Sequence, residues 1–437
     1  MKLTPSDLRF NLSGADLVIP SEGGLFRYGN GFAFQAGPTT AGFFVNLRFG
    51  GYPVGDFEAG MDVVLFDDLA TISASNAVPI CRSDRHVRPD GKKRVVVRHT
   101  PKGGFVPHGA LRADGSPHPG AGTGFLVGQA LDFPMYGDGY YMKEDKARDM
   151  VHATEVHHLA YDGREFRKIE TETWGSDNRK ELSGWMLEAP SLCTAITDGD
   201  DLLFPMDATQ GDFTWGGGPN ASGVARWRYA DGRWGPVEFV PIGFSRRVEN
   251  PDIVYDTECW QEWIEPTVVR DLDGSLLFTA RGVYERRCEY MIKVWRSTDG
   301  GATWDVLFEV EDVRDESPTS INTTADGTPY IFSCPTDHAR DQLCLWLLRP
   351  DRSGVEEPIM FRDGVKQFGP PPKGPVWFMD HPNGYTVRLA DGAWHHLLCH
   401  RVMDRGEHGG SEPSPQSGFY AEELVTPGPA VPLWKFE

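Results

Sequence analysis

Apolar positions in this chain come in short runs, and in its second half those runs recur in pairs joined by Asp-Gly. Residues 191–196 precede Asp198-Gly199 and 202–204 follow it. Residues 265–269 and 275–278 flank Asp273-Gly274, 319–322 and 330–332 flank Asp326-Gly327, and 385–389 and 394–398 flank Asp391-Gly392. Asp-Gly between two apolar runs predicts a hairpin, because both residues accept the positive φ of a tight two-residue turn. Successive Asp-Gly turns lie 75, 53 and 65 residues apart. That spacing is too long for one hairpin and suits a four-stranded antiparallel sheet with its loops. The pattern therefore predicts an all-β fold, a β-propeller. The 437 residues accommodate six or seven blades at this spacing, with six favoured. Only four blades show in the repeat, and residues before about position 180 do not fall into phase.

Composition narrows the class. Gly (50) and Pro (33) are abundant and aromatics reach 12%. Gly costs about 1 kcal/mol and Pro about 3 kcal/mol inside a helix, so a helical bundle is excluded. Hydrophobic residues at 40% argue against disorder. The 43 Lys+Arg against 63 Asp+Glu leave a net charge of −20. That balance argues against nucleic acid and anionic lipid as partners. No apolar run approaches the roughly 20 residues of a membrane helix. Residues 1–7 carry no apolar stretch behind Lys2, so the chain as it stands reads as cytoplasmic, or as exported after trimming of a signal.

The seven cysteines are scattered without a CxxC pair, which predicts buried thiols and no zinc-thiolate site. His395, His396 and His400 lack a ligand signature, so neither metal nor cofactor is expected. Residues 1–437 read as one domain, with a stiff Pro-rich loop at 368–375 and a tail at 427–437 that closes or staples the ring.

One turn says more. Ser297-x-Asp299-x-Gly301-x-Thr303-Trp304 follows an apolar strand, and a weaker echo lies at 347–354. The full phrase resembles the Asp-box of the sialidase superfamily, and the resemblance implies a sialidase-like propeller. It also implies roles. Glu265 and Arg281, on the two sides of Asp273-Gly274, resemble the segment carrying the base glutamate and second arginine of the family. Arg340 resembles the third arginine and Tyr385 the nucleophilic tyrosine. Less complete matches put the first arginine at Arg27, where Ile and Pro of the family phrase are missing, and the acid at Asp56. Three guanidinium forks bind a carboxylate bidentately. A tyrosine activated by a glutamate attacks the anomeric carbon, and an aspartic acid protonates the leaving oxygen. The expectation is an exo-acting glycoside hydrolase on a glycan with an acidic sugar.

Two other readings stay open. His108 and His118 lie in a Gly- and Pro-rich stretch, and His152, Glu155, His157 and His158 follow. Some propellers related to sialidases are polysaccharide lyases or rhamnosidases on uronate-containing glycans, using His and Tyr for proton transfer. His157 and His158 are neighbours on a strand and face opposite sides, so His157 is the candidate beside His108 and His118. The third reading is a glycan-binding propeller without catalysis. Trp174, Trp215, Trp260, Trp263 and Trp377 are its stacking candidates, with Trp215 before three glycines the best platform.

Overall fold

The computed structural model describes residues 4–11, 17–18, 25–49, 58–136, 139–140, 151–175, 177–190, 192–210, 220–244, 246–248, 259–284, 292–310, 318–335, 340–405 and 414–437. They form six antiparallel sheets. Blade 1 contains Leu17–Val18, Leu25–Gln35, Ala41–Phe49, Glu58–Phe66 and Val78–Arg82. Blade 2 contains Asp84–Val87, Lys93–Val106, Thr123–Tyr136, Val151–Tyr161 and Phe166–Trp174, and blade 3 Glu181–Leu182, Trp185–Pro190, Asp201–Thr209, Asn220–Ala230 and Arg233–Phe244. Blade 4 contains Arg246–Val248, Cys259–Arg270, Leu276–Tyr284, Ile292–Ser297 and Asp305–Val310. Blade 5 contains Ser320–Thr323, Pro329–Ser333, Gln342–Leu347 and Ile359–Asp363. Blade 6 joins Trp377–Arg388, Trp394–Asp404 and Gly418–Val425 to Thr4–Asn11.

Alternating side chains give each blade two apolar faces, and each face meets the next blade. Phe34 and Phe44 of blade 1 pack on Phe105 and Phe166 of blade 2. Phe125 stacks on Trp227 between blades 2 and 3, with centroids 3.9 Å apart. Leu203 and Val224 meet Trp263 and Phe278 between blades 3 and 4. Val269 and Leu277 meet Ile321 and Ile331, and Tyr330 and Phe332 meet Leu398 and Val402. Val387 and Leu397 of blade 6 return to Ala33 and Phe43 of blade 1, completing the ring. Each fully buried Phe or Leu contributes about 1.5–3 kcal/mol, so the blade interfaces dominate stability. The chain is a six-bladed β-propeller.

The Asp-Gly turns of blades 4 to 6 join the innermost strand to the second, the blade 3 turn joins the short strand Ile196–Asp198 to Asp201–Thr209, and Gly199, Gly274, Gly327 and Gly392 all have φ between 65° and 87°. Blades 1 and 2 are out of phase because other connections stand there. Residues 36–40 make a tight turn in blade 1, and residues 107–122 form a long, internally hydrogen-bonded loop in blade 2. Closing and stapling fall to different segments. The ring is closed by Thr4–Asn11 pairing with Gly418–Val425, an antiparallel ladder that only the N-terminal strand supplies. Residues 427–437 instead cross the Asp-Gly end of the channel. Val431 N–H donates to Ala325 O at 2.7 Å, and Leu111 N–H donates to Lys435 O at 2.8 Å.

Candidate active site

Five of the six innermost strands carry the same irregularity. One extra residue is inserted between Tyr28 and Gly31, His99 and Lys102, Leu187 and Ala189, Ile264 and Thr267, and Asp380 and Asn383, each against the second strand of its blade. A bulge breaks the alternation of the pleat and re-aims a side chain. The bulges bring Glu188, Glu265 and His381 to one level of the channel. Glu265 (φ 54°) and His381 (φ 53°) sit in the left-handed region, a conformation that strains a residue with a Cβ and recurs at functional sites.

Blades 4, 5 and 6 meet in a charged cluster. Arg281 Nη1 donates to Glu265 Oε2 at 3.1 Å, and His381 Nε2 lies 4.0 Å from Glu265 Oε1. Asp380, fully buried, takes His381 Nδ1 at 2.8 Å, Arg401 Nε at 2.6 Å and Arg340 Nη1 at 2.9 Å, and a second bond from Arg401 makes that pair bidentate. Arg340, itself at φ 49°, lies over the Phe378 ring at 4.9 Å. The Asp380 carboxylate only accepts, so His381 Nδ1 carries the proton of that bond and Asp380 fixes the ring's orientation.

Blade 3 adds two carboxyl groups. Glu188 Oε1 accepts from Thr209 Oγ1 at 2.8 Å. Asp207, two residues before Thr209 on the same face of the strand, accepts the Glu265 N–H at 3.0 Å. Asp207 therefore stands between Glu188 and Glu265. Burial pushes the Glu188 carboxyl up to about 7, against Thr209 and Arg179. Burial also pushes the Glu265 carboxyl up, but Arg281, His381 and Arg340 outweigh it and hold that group below its ordinary value. Two carboxyl groups with opposed shifts are equipped for a proton donor and an ionised partner.

The sequence candidates divide. The structure brings Glu265, Arg281 and Arg340 into one cluster. Tyr385 is not in it. It lies four residues beyond His381, about 13 Å along an extended strand. Its hydroxyl accepts from Trp434 Nε1 at 3.1 Å, and burial pushes it up to about 12. A tyrosine there faces the tail. Arg27 has its backbone in blade 1, paired with Arg48, and its side chain lies outside the described residues, as do Asp56 and Trp215.

His108 and His118 lie at the tail end of the channel. His108 is exposed, and His118 Nδ1 accepts from Gly120 N–H at 3.1 Å. His157 is on the third strand from the channel in blade 2, bonded to Thr171 Oγ1 at 2.9 Å and pushed down to about 3 by burial. These three histidines share no site. Trp174, Trp263 and Trp377 are core residues. His395 binds Glu423 and Asp391, whereas His396 binds Tyr330 and Thr386. Among the described residues no group of three or more His, Cys, Asp or Glu is placed to hold a metal ion, and no helix is long and apolar enough to cross a membrane.

No protein-family model and no curated protein matches the sequence. Solved structures do. A protein of unknown function from Dyadobacter fermentans aligns over 97% of this chain and 98% of its own at 11% identity, with a TM-score of 0.58. The K499G mutant of NanB sialidase from Streptococcus pneumoniae aligns over 96% of this chain and 71% of its own at 11% identity and TM-score 0.49. An α-L-arabinanase from Penicillium chrysogenum aligns over 97% and 98% at 10% identity and TM-score 0.45. The chain shares a six-bladed β-propeller fold with the first of these. At such identities the likeness is one of fold, and function must be argued from the site.

Sequence reasoning missed Glu188 and His381. A signal for both was present. Thr100-Pro101, Glu265-Pro266 and His381-Pro382 place a proline inside a strand, and Glu188-Ala189-Pro190 places one at a strand's end. Proline lacks an N–H for the ladder, so within a sheet it marks an edge or a bulge.

Proposed function

We propose that this propeller hydrolyses glycosidic bonds at the level of its bulges, with Glu188 as the general acid and Glu265 as the ionised carboxylate. The observation that carries this reading is the pair itself. Two glutamates from the inner strands of adjacent blades flank Asp207, one with its acidity weakened to about 7 and the other with its acidity strengthened. A glycosidase needs that division. One carboxylic acid protonates the leaving-group oxygen, and one carboxylate serves the anomeric carbon, as nucleophile or as base for water. His381 and Arg281 border Glu265 and hold it charged.

A second reading concerns the sugar. Arg281 and Arg340 are each 18% exposed. That exposure favours contact with a carboxylate-bearing sugar, in exchange for part of their bonding to Glu265 and Asp380.

The test is a panel of aryl glycosides that includes neutral pentosides and hexosides, sialosides and uronides. Turnover that disappears in both Glu188→Gln and Glu265→Gln supports the hydrolase. Preference within the panel separates neutral from acidic sugars. Absorbance from an unsaturated uronate product would favour a lyase instead. Binding of glycans without turnover would leave a carbohydrate-binding propeller.

A further inference from the structure

Asp207 is a third carboxyl group between the two glutamates, and its bonds contain a proton count. Ser222, fully buried, has its Oγ 2.5 Å from Asp207 Oδ1 and 2.6 Å from the carbonyl oxygen of Trp263. Both are hydrogen-bond distances. The Trp263 oxygen can only accept, and a serine hydroxyl has one hydrogen. If that hydrogen points to Trp263, nothing lies between Ser222 Oγ and an ionised Asp207. If it points to Asp207, the Trp263 oxygen is left against bare lone pairs. Both contacts are filled only when Asp207 supplies a hydrogen of its own. The other oxygen, Oδ2, accepts the Glu265 N–H at 3.0 Å.

We propose that Asp207 is a neutral carboxylic acid in the native protein, donating to Ser222 while accepting from the backbone of Glu265, and that it is thereby the positioning residue of the Glu265 bulge. Each end of the relay is fixed by a backbone group of blade 4, Trp263 C=O at one side and Glu265 N–H at the other. A strained φ of 54° at Glu265 is thus anchored within two residues of a second tether. The surrounding charges agree. Desolvation raises the Asp207 acid range well above the ordinary value, and Glu265 and Glu188 add to it, against the bonds from Ser222 and the Glu265 N–H. A neutral acid also leaves the site with one anion fewer, which keeps Glu188 from being driven further up.

The positioning role rests on the hydrolase reading; the protonation does not. Infrared difference spectra of the full chain at neutral pH, wild type minus Asp207→Asn, decide the second. A carbonyl stretch of a protonated carboxylic acid should be present in wild type, absent in Asp207→Asn and displaced in Ser222→Ala. A carboxylate band lost in its place would overturn the proposal. On a substrate found in the panel, Asp207→Ala should lower kcat about a hundredfold through misplacement of Glu265. Asn, which can donate to Ser222 and accept from Glu265, should recover about tenfold or more of that loss. An Asn variant as poor as Ala overturns the positioning role. If no glycan is turned over, the hydrolase reading falls and the infrared band still decides the proton.

Discussion

His381 of blade 6 reaches Glu265 of blade 4 across the channel, Nε2 to Oε1 at 4.0 Å, past the inner strand of blade 5. Both residues are bulged and both have φ near 50°. The contact therefore joins two strained positions on non-adjacent blades. Asp380 anchors the arrangement, since it holds His381, Arg340 and Arg401 together.

Asp380 is fully buried, and Arg401 beside it is 3% exposed. Removing one partner of a buried pair leaves the other unpaired and costs about 3–5 kcal/mol. Asp380→Ala should lose that much in urea unfolding. Asp380→Asn should lose less, because it keeps an acceptor.

Activity should have a bell-shaped dependence on pH, falling above about 7 as Glu188 deprotonates. Arg179 pulls Glu188 down, so Arg179→Gln should move the basic limb to higher pH. Glu265 is held low by Arg281, so Arg281→Gln should raise its range and move the acidic limb to higher pH as well. Profiles of kcat/KM for the two variants check the pair. A limb that stays in place removes the corresponding glutamate from its role.

Stability should show Glu188 independently of turnover. Its carboxyl rises from 4.5 to about 7 on folding, so the native state holds the proton more tightly. The favourable contribution is complete below the unfolded range near 4.5 and is lost as pH rises through about 7. Glu188→Gln should therefore be more stable than wild type above that range by about 3 kcal/mol, and the difference should close in acid. Thermal unfolding from pH 4 to 8.5 measures it.

Tyr385→Phe should keep turnover and lose about 1 kcal/mol, the worth of its bond from Trp434. Trp434, 8% exposed, packs the tail into the channel, so Trp434→Ala should cost about 3–5 kcal/mol. A Tyr385→Phe variant that folds but does not turn over substrate would restore the tyrosine as nucleophile.

The fold was legible where one local rule repeats. Asp198-Gly199, Asp273-Gly274, Asp326-Gly327 and Asp391-Gly392 each determine a hairpin by themselves, because turn chemistry is decided within a few residues. Ser297 to Trp304 does the same: Asp299 accepts the Thr303 N–H at 3.0 Å, and Trp304 Nε1 donates to Gly301 O at 2.9 Å. Glu265, Arg281 and Arg340, which the resemblance singled out, do meet in one cluster. Tyr385 stands apart from that cluster, because distance from a turn does not tell at which height of a strand the channel is polar. That height is set by the bulges, and a bulge is defined only by pairing with a second strand. Glu188 and Asp207 lie on paired strands of blade 3, but Glu265 and His381 join them only when blades 3, 4 and 6 close around one axis. The hairpins of blades 3 to 6 follow from a few residues each, because turn physics is local. The tertiary structure alone decided which carboxyl groups share one desolvated space, and so which of them holds a proton.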